Sequence, residues 1–396
     1  MTFSRPGPAS PGPGAGSGPP RVSTLELFFD LVFAFTLTQL TARLADGAFS
    51  VAAIGQVLLV FGVLWWMYGG YAWLTNARAP DSTGTRLLLL LGMAGFLVVG
   101  LAIPRGFTAP AAGGSGLALG LGYLLVVAVH SMLYFQVNRN ILRIIPFNVG
   151  SAVLVIVAGT VGGTAKYPLW AAALAIEILG PLIRPLAGRF EVSPAHFVER
   201  HGALIIVALG ESVAAVGIGA ASLALTVQLV TAVVLGLAVS ACLWWAYFGG
   251  GDDQRAEQAM TRAPRERRPR MALAGYFYTH VPMLLGVVTL AAGVKVTIGH
   301  AAQPHPAGQA LALGVGVALF LAGDAAFREV MGIGRAWVRY AAAVFAVATA
   351  ALGAAVAVEA QLAVLTAGLV GMLLAEGRLG DAAHPPAAVG EDRACD

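Results

Sequence analysis

The sequence predicts an all-α, polytopic transmembrane bundle of about twelve helices, and three observations carry that prediction. Of 396 residues, 58% are hydrophobic and only 11% are charged, against roughly 25% charged in soluble domains. Apolar runs such as 87–103 and 341–358 recur at the length that a ~30 Å hydrocarbon core requires. The basic side chains also sort to one side of the threading that those runs imply, as retained cytoplasmic loops do. A chain with this composition cannot cover a soluble surface with charge, so soluble enzymes and nucleic-acid-binding domains are excluded.

The first 21 residues are rich in Pro, Gly and Ser and have too little to bury to offset the entropy of ordering, so they are expected to form a disordered cytoplasmic tail. Arg21 is followed by an apolar run without a small-residue cleavage pattern, which reads as a retained first transmembrane helix rather than a signal peptide. Hydrophobic length places helices at 25–44, 51–75, 86–103, 116–137, 147–164, 167–184, 197–219, 226–248, 272–297, 308–331, 337–357 and 360–376. These divide into a first six-helix half over 22–185 and a second over 186–377, with 378–396 as a second disordered cytoplasmic tail. Only Arg43, Arg105, Lys166 and Lys295 fall opposite the N-terminus; the other twenty of the 24 basic residues share its side. The expected location is therefore a bacterial inner (cytoplasmic) membrane, multi-pass, with both termini cytoplasmic. The basic run from Arg262 to Arg270 reads as a topology-setting loop beside anionic lipid, with no role for nucleic acid.

The two halves carry similar features in the same order. Glu26-Leu-Phe-Phe-Asp30 through Thr38-Gln39 lies over Glu199 through Glu211-Ser212, and Trp65-Trp66-Met67-Tyr68 over Trp244-Trp245-Ala246-Tyr247. Arg86 then meets Arg270, and His130 meets Asp324. Six helices is an even number, so the halves are expected to be parallel repeats related by an axis along the membrane normal.

Leu25-Glu-Leu-Phe-Phe-Asp-Leu-Val-Phe-Ala-Phe35, His196-Phe-Val-Glu-Arg200 running into Leu209-Gly-Glu-Ser212, Trp244-Trp245, and Tyr276-Phe-Tyr-Thr-His280 together resemble the bacterial low temperature requirement A (LtrA) family. The resemblance runs from about Val22 to Met372 and implies a multi-pass membrane protein linked to growth in the cold. Two motifs depart from the family pattern: Ile103-Pro-Arg-Gly-Phe107 where an acidic residue follows Pro, and Glu199-Arg-His-Gly-Ala203 where Phe-Gly-Leu follows Arg. Phe28-Phe29-Asp30 is also similar to the first-helix Phe-Ser-Asp of lysosomal and prokaryotic potassium channels, with phenylalanine in place of the serine.

Ionisable groups inside hydrocarbon cost ~2.5–3.5 kcal/mol each on insertion scales, which makes them the candidate functional residues. At ~1.5 Å per residue, Asp30, His130, Glu177, His280 and Asp324 all fall roughly 8–13 Å below the N-terminal face, as one polar layer from five helices. Glu26 lies one turn before Asp30 on the same helix face, Glu199 near the start of the seventh helix, and Glu211 past its middle. A path from Glu26 through the layer to Glu211 is the expectation. Arg86, Arg200 and Arg270 are the expected charge partners, snorkelling inward from the helix ends.

No nucleotide-binding loop, nucleophile elbow or zincin pair occurs, and Cys242 and Cys395 make neither a disulfide framework nor a zinc site. No cofactor or metal is therefore assigned. Two functional readings remain. One is a passive or proton-coupled transporter or channel for a cation or small solute, with Asp30 and Glu211 carrying charge. The other is an intramembrane enzyme acting on a lipid or apolar biosynthetic intermediate by acid/base chemistry, with His130 or His280 as base. The expected partners are the bilayer and a proton, cation or small apolar ligand, and a homo-oligomer is compatible with the sequence.

Overall fold

In the computed structural model, residues 22–107, 114–183 and 191–383 are described, and all their regular structure is helical. The helices are α1 (Thr24–Asp46), α2 (Val51–Ala77), α3 (Thr83–Gly106), α4 (Ser115–Val137), α5 (Ile145–Thr160), α6 (Lys166–Ile183), α7 (Pro194–Ala220) and α8 (Val227–Phe248). They continue with α9 (Asp252–Arg262), α10 (Arg268–Ala272), α11 (His280–Thr297), α12 (Ala307–Met331), α13 (Ala336–Ala348), α14 (Ala350–Ala355) and α15 (Val358–Ala383). Among the described residues, ten helices are long and apolar enough to cross a membrane, and the protein is a multi-pass membrane protein.

All twelve expected helices have counterparts, with differences at four places. The ninth is α10 and α11 joined by a π-helical turn at Leu273–Tyr278, and the eleventh breaks into α13 and α14 at Thr349. The short helix α9 has no counterpart among the expected spans; its Ala256 and Met260 are buried, while its arginines are exposed or partly exposed. Helix α15 runs on to Ala383, past the expected boundary at 377, whereas the tail over 1–21 and the boundary at 185 lie outside the described residues.

Local chemistry sets the helix starts. Ser23 caps α1 in a capping box with Glu26, and Ser50, Ser82 and Thr226 accept backbone N–H groups at the starts of α2, α3 and α8. Close helix pairs rely on facing glycines. A Cβ on Gly116 of α4 would lie 2.5 Å from the Gly159 carbonyl of α5, and one on Gly286 of α11 would lie 2.6 Å from that of Gly316 on α12. In lipid, backbone approach of this kind is the main source of helix association. The order of neighbours repeats along the chain: α1 packs on α3, α3 on α4 and α4 on α5, as α7 packs on α11, α11 on α12 and α12 on α13.

Helices α1 and α7 also pack on one another, and their side-chain pairs fix the direction. Asp30 meets Arg200 near the start of both helices, and Thr38 meets Glu211 further along both. The two helices are therefore parallel, and the seam between them is where the candidate site lies.

Candidate functional site on the seam of helices 1 and 7

Four residues at a one-turn spacing build the site. Glu26 and Asp30 lie on one face of α1, and His196 and Arg200 on one face of α7. The guanidinium of Arg200 donates from Nη1 to Glu26 Oε1 at 2.8 Å and from Nη2 to Asp30 Oδ1 at 3.2 Å. His196 Nε2 stands 2.9 Å from the same Oε1 of Glu26. The other carboxylate oxygen of Glu26 closes the α1 cap, accepting from the Ser23 backbone at 2.9 Å and hydroxyl at 2.8 Å. On the α2 side, the Tyr68 hydroxyl donates to Asp30 Oδ1 at 2.8 Å, and Arg200 reaches Thr75 Oγ1 at 3.5 Å. Asn76 holds the start of α7 by exchanging two hydrogen bonds, both 3.2 Å, with the Ser193 backbone.

Glu26, Asp30, His196 and Arg200 are all buried, so their charges have little water to fall back on and depend on one another. Two carboxylates against one guanidinium leave one negative charge, which a single proton within the cluster balances. Asp30 Oδ2 is buried and has no hydrogen-bond partner, which makes it a place where that proton can sit. Behind Asp30 the site is sealed by aromatic rings: Phe33 lies 4.4 Å from Tyr68 between ring centroids, and Trp65 stacks on Tyr68 at 5.3 Å. Arg200 lies 5.6 Å from the ring centroids of both Phe29 and Tyr68, within cation–π range.

In front, the cluster opens on a groove of about 700 Å³ whose lining includes Glu26, His196, Asn76, Asp81 and Arg86. Phe28 and Leu90 also line this groove and are themselves exposed on the outer surface. The cleft is thus bounded by both charged and apolar walls.

The remaining expected residues occupy separate environments. Glu199 is exposed and accepts from the Val22 backbone at 3.1 Å. His130 lies between Tyr71 and Tyr134 against the backbone of Gly70. Glu177 accepts from the Tyr123 hydroxyl. His280 accepts at Nε2 from Tyr247 at 3.1 Å, because its Nδ1 donates to the carbonyl of Gly275, which the π-helical turn presents at 3.1 Å. Asp324 pairs with Arg339. Asp30, His130, Glu177, His280 and Asp324 therefore face different partners rather than one another. Among the described residues, no group of three or more His, Cys, Asp or Glu side chains is placed to hold a metal ion.

Of the three arginines expected to pair, Arg200 holds both carboxylates of the seam. Arg86 instead donates to the Pro80 carbonyl at 2.9 Å, and Arg270 is exposed with no ion pair among the described residues. A second buried array forms where α9, α12, α13 and α15 meet. Arg328 bonds Asp252 at 2.6 Å and Glu376 at 2.9 Å, while Arg339 bonds Asp324, Glu376 at 2.9 Å and the Ala246 carbonyl at 2.8 Å. The sequence comparison of the halves set Glu26 over Glu199. Across the seam, Glu26 faces His196 and Asp30 faces Arg200, each pair 170 positions apart. Registering the helix caps Ser23 and Ser193 gives this pairing directly, and it would have brought out His196.

A protein of Rhizobium meliloti (strain 1021), itself uncharacterised, is 28% identical over 330 residues, covering 76% of each chain. The family model for the bacterial low temperature requirement A protein matches residues 21–374, a stretch that contains the α1–α7 cluster and ends within α15, two residues before Glu376. The chain belongs to the bacterial low temperature requirement A (LtrA) family.

Proposed function

We propose that this protein is a proton-coupled or passive transporter for a cation or small solute, loaded at the Glu26–Asp30–Arg200–His196 cluster. The supporting observation is the combination of a buried, charge-unbalanced cluster with the groove that opens directly onto it. Glu26 and His196 face both the groove and the cluster, so a charge entering the groove meets them first. Asp30 stands behind them with one free carboxylate oxygen. A proton that arrives at Asp30 weakens its hold on Arg200, which remains bonded to Glu26. That loosening is the step by which protonation reshapes the α1–α7 seam. The basic residues flanking the groove end of the spans support a cytoplasmic opening in a bacterial inner membrane, with both termini on that side.

The test is dissipation of an imposed pH gradient in proteoliposomes, read with an internal pH dye. The wild type is expected to collapse the gradient and Asp30→Asn to hold it. A folded wild-type protein that leaves the gradient intact would overturn the reading and return the cluster to acid–base catalysis.

A further inference from the structure

Of the buried carboxylates among the described residues, Glu26, Asp30, Asp252 and Asp324 each face an arginine; Glu177 and Glu211 do not. A carboxylate inside a membrane protein without a countercharge is costly, so something must neutralise it. Glu177 is fully enclosed and bonded to Tyr123. Glu211 differs because it is 7% exposed and set among hydroxyls. Thr38 donates to its Oε2 at 2.6 Å, and Thr41 lies one turn further along the same face of α1. Thr41 is 2% exposed and its hydroxyl has no hydrogen-bond partner. Thr38 has a second acceptor in the Ala34 carbonyl at 3.3 Å, so its proton can turn there and free oxygen lone pairs for a ligand. The nearby basic residue Lys295 of α11 pairs elsewhere, its amine 3.5 Å from Asp46.

The groups on this site are oxygens of one carboxylate and two hydroxyls, the donor set of a hard cation. Between it and the first cluster, the eight residues from Asp30 to Thr38 span about 12 Å at ~1.5 Å each. The buried side chains of those turns are mostly apolar: Phe33 and Leu37 on α1 and Leu204, Ile205, Ala208 and Leu209 on α7. Thr36 and His201 are the exceptions: the Thr36 hydroxyl is bonded back to the Phe33 carbonyl at 2.6 Å, and His201 bonds the Phe197 carbonyl at 2.9 Å and packs against Tyr276 and His280.

We propose that Glu211, Thr38 and Thr41 form a second binding station on the seam, which takes one small monovalent cation of the sodium type beyond an apolar break. The proposal rests on reading the seam as a transport path, but its test requires no transport. Thermal unfolding of the full-length protein in detergent is compared in sodium chloride and in choline chloride at equal ionic strength and fixed pH. Sodium is expected to raise the midpoint of the wild type and of Asp30→Asn by several degrees, and to do nothing for Glu211→Gln or for the near-isosteric Thr41→Val. An equal shift in choline, or a sodium shift that survives in both seam variants, overturns the station. Stabilisation by acid alone, with no sodium dependence, makes Glu211 a proton site and also overturns it. Sodium binding without any flux would sink the transport reading and spare the station.

Discussion

Replacing Arg200 with Met removes the guanidinium and keeps most of the apolar stem, so the loss falls on two carboxylates of unequal resources. Glu26 retains His196 at 2.9 Å and its two bonds from Ser23. Asp30, which is fully buried, retains only the Tyr68 hydroxyl at 2.8 Å. Breaking one side of a buried ion pair costs about 3–5 kcal/mol, most of it from the stranded charge. Arg200→Met is therefore expected to lower stability by about that amount, and adding Asp30→Asn to recover more than half of it, because the amide no longer needs a cation. Adding Glu26→Gln instead should recover less, since Glu26 keeps other donors. The assay is reversible unfolding in mixed micelles of the single and double variants. Equal stability of Arg200→Met and wild type, or equal rescue by the two neutralising changes, would refute the reasoning.

Other expectations follow from the same geometry. Arg339→Lys should unfold earlier in a detergent thermal scan, by about 2–4 kcal/mol, because one ammonium cannot replace the fork that serves Asp324, Glu376 and the Ala246 carbonyl. Gly70→Ala would bring a methyl to 2.9 Å from His130 Nε2 and should cost about 1–3 kcal/mol; His130→Ala should remove that cost in a double-mutant cycle. Ser23→Ala should cost about 1 kcal/mol through the lost cap and should also loosen Glu26, visible as faster hydrogen exchange in the first turn of α1.

Much of this fold could be read from the chain, because a bilayer accepts few solutions and hydrophobic length reports each span. The pairing of side chains was less legible. Depth below the membrane surface follows from counting residues, but rotation about each helix axis does not. His130 and Glu177 accordingly face α2 and α4 rather than Asp30. Arg328 and Arg339 sit near helix ends, where a sequence reading counts them as loop charges; only packing reveals that they turn inward to Asp252, Asp324 and Glu376. His196 was visible in its motif, but its role depended on a register between α1 and α7 that the match of Glu26 with Glu199 displaced by nearly one turn. The π-helical turn before His280 depends on tertiary packing, since the residues of Leu273–Tyr278 carry no local signal for it.

The most direct test of the loading site is electrical. Proteoliposomes adsorbed on a solid-supported membrane are exposed to a rapid pH jump, and the transient current is recorded for wild type and Asp30→Asn at matched protein density. A current in the wild type that is lost in Asp30→Asn, with the variant still folded, is the predicted result; currents of equal size in the two proteins would contradict it.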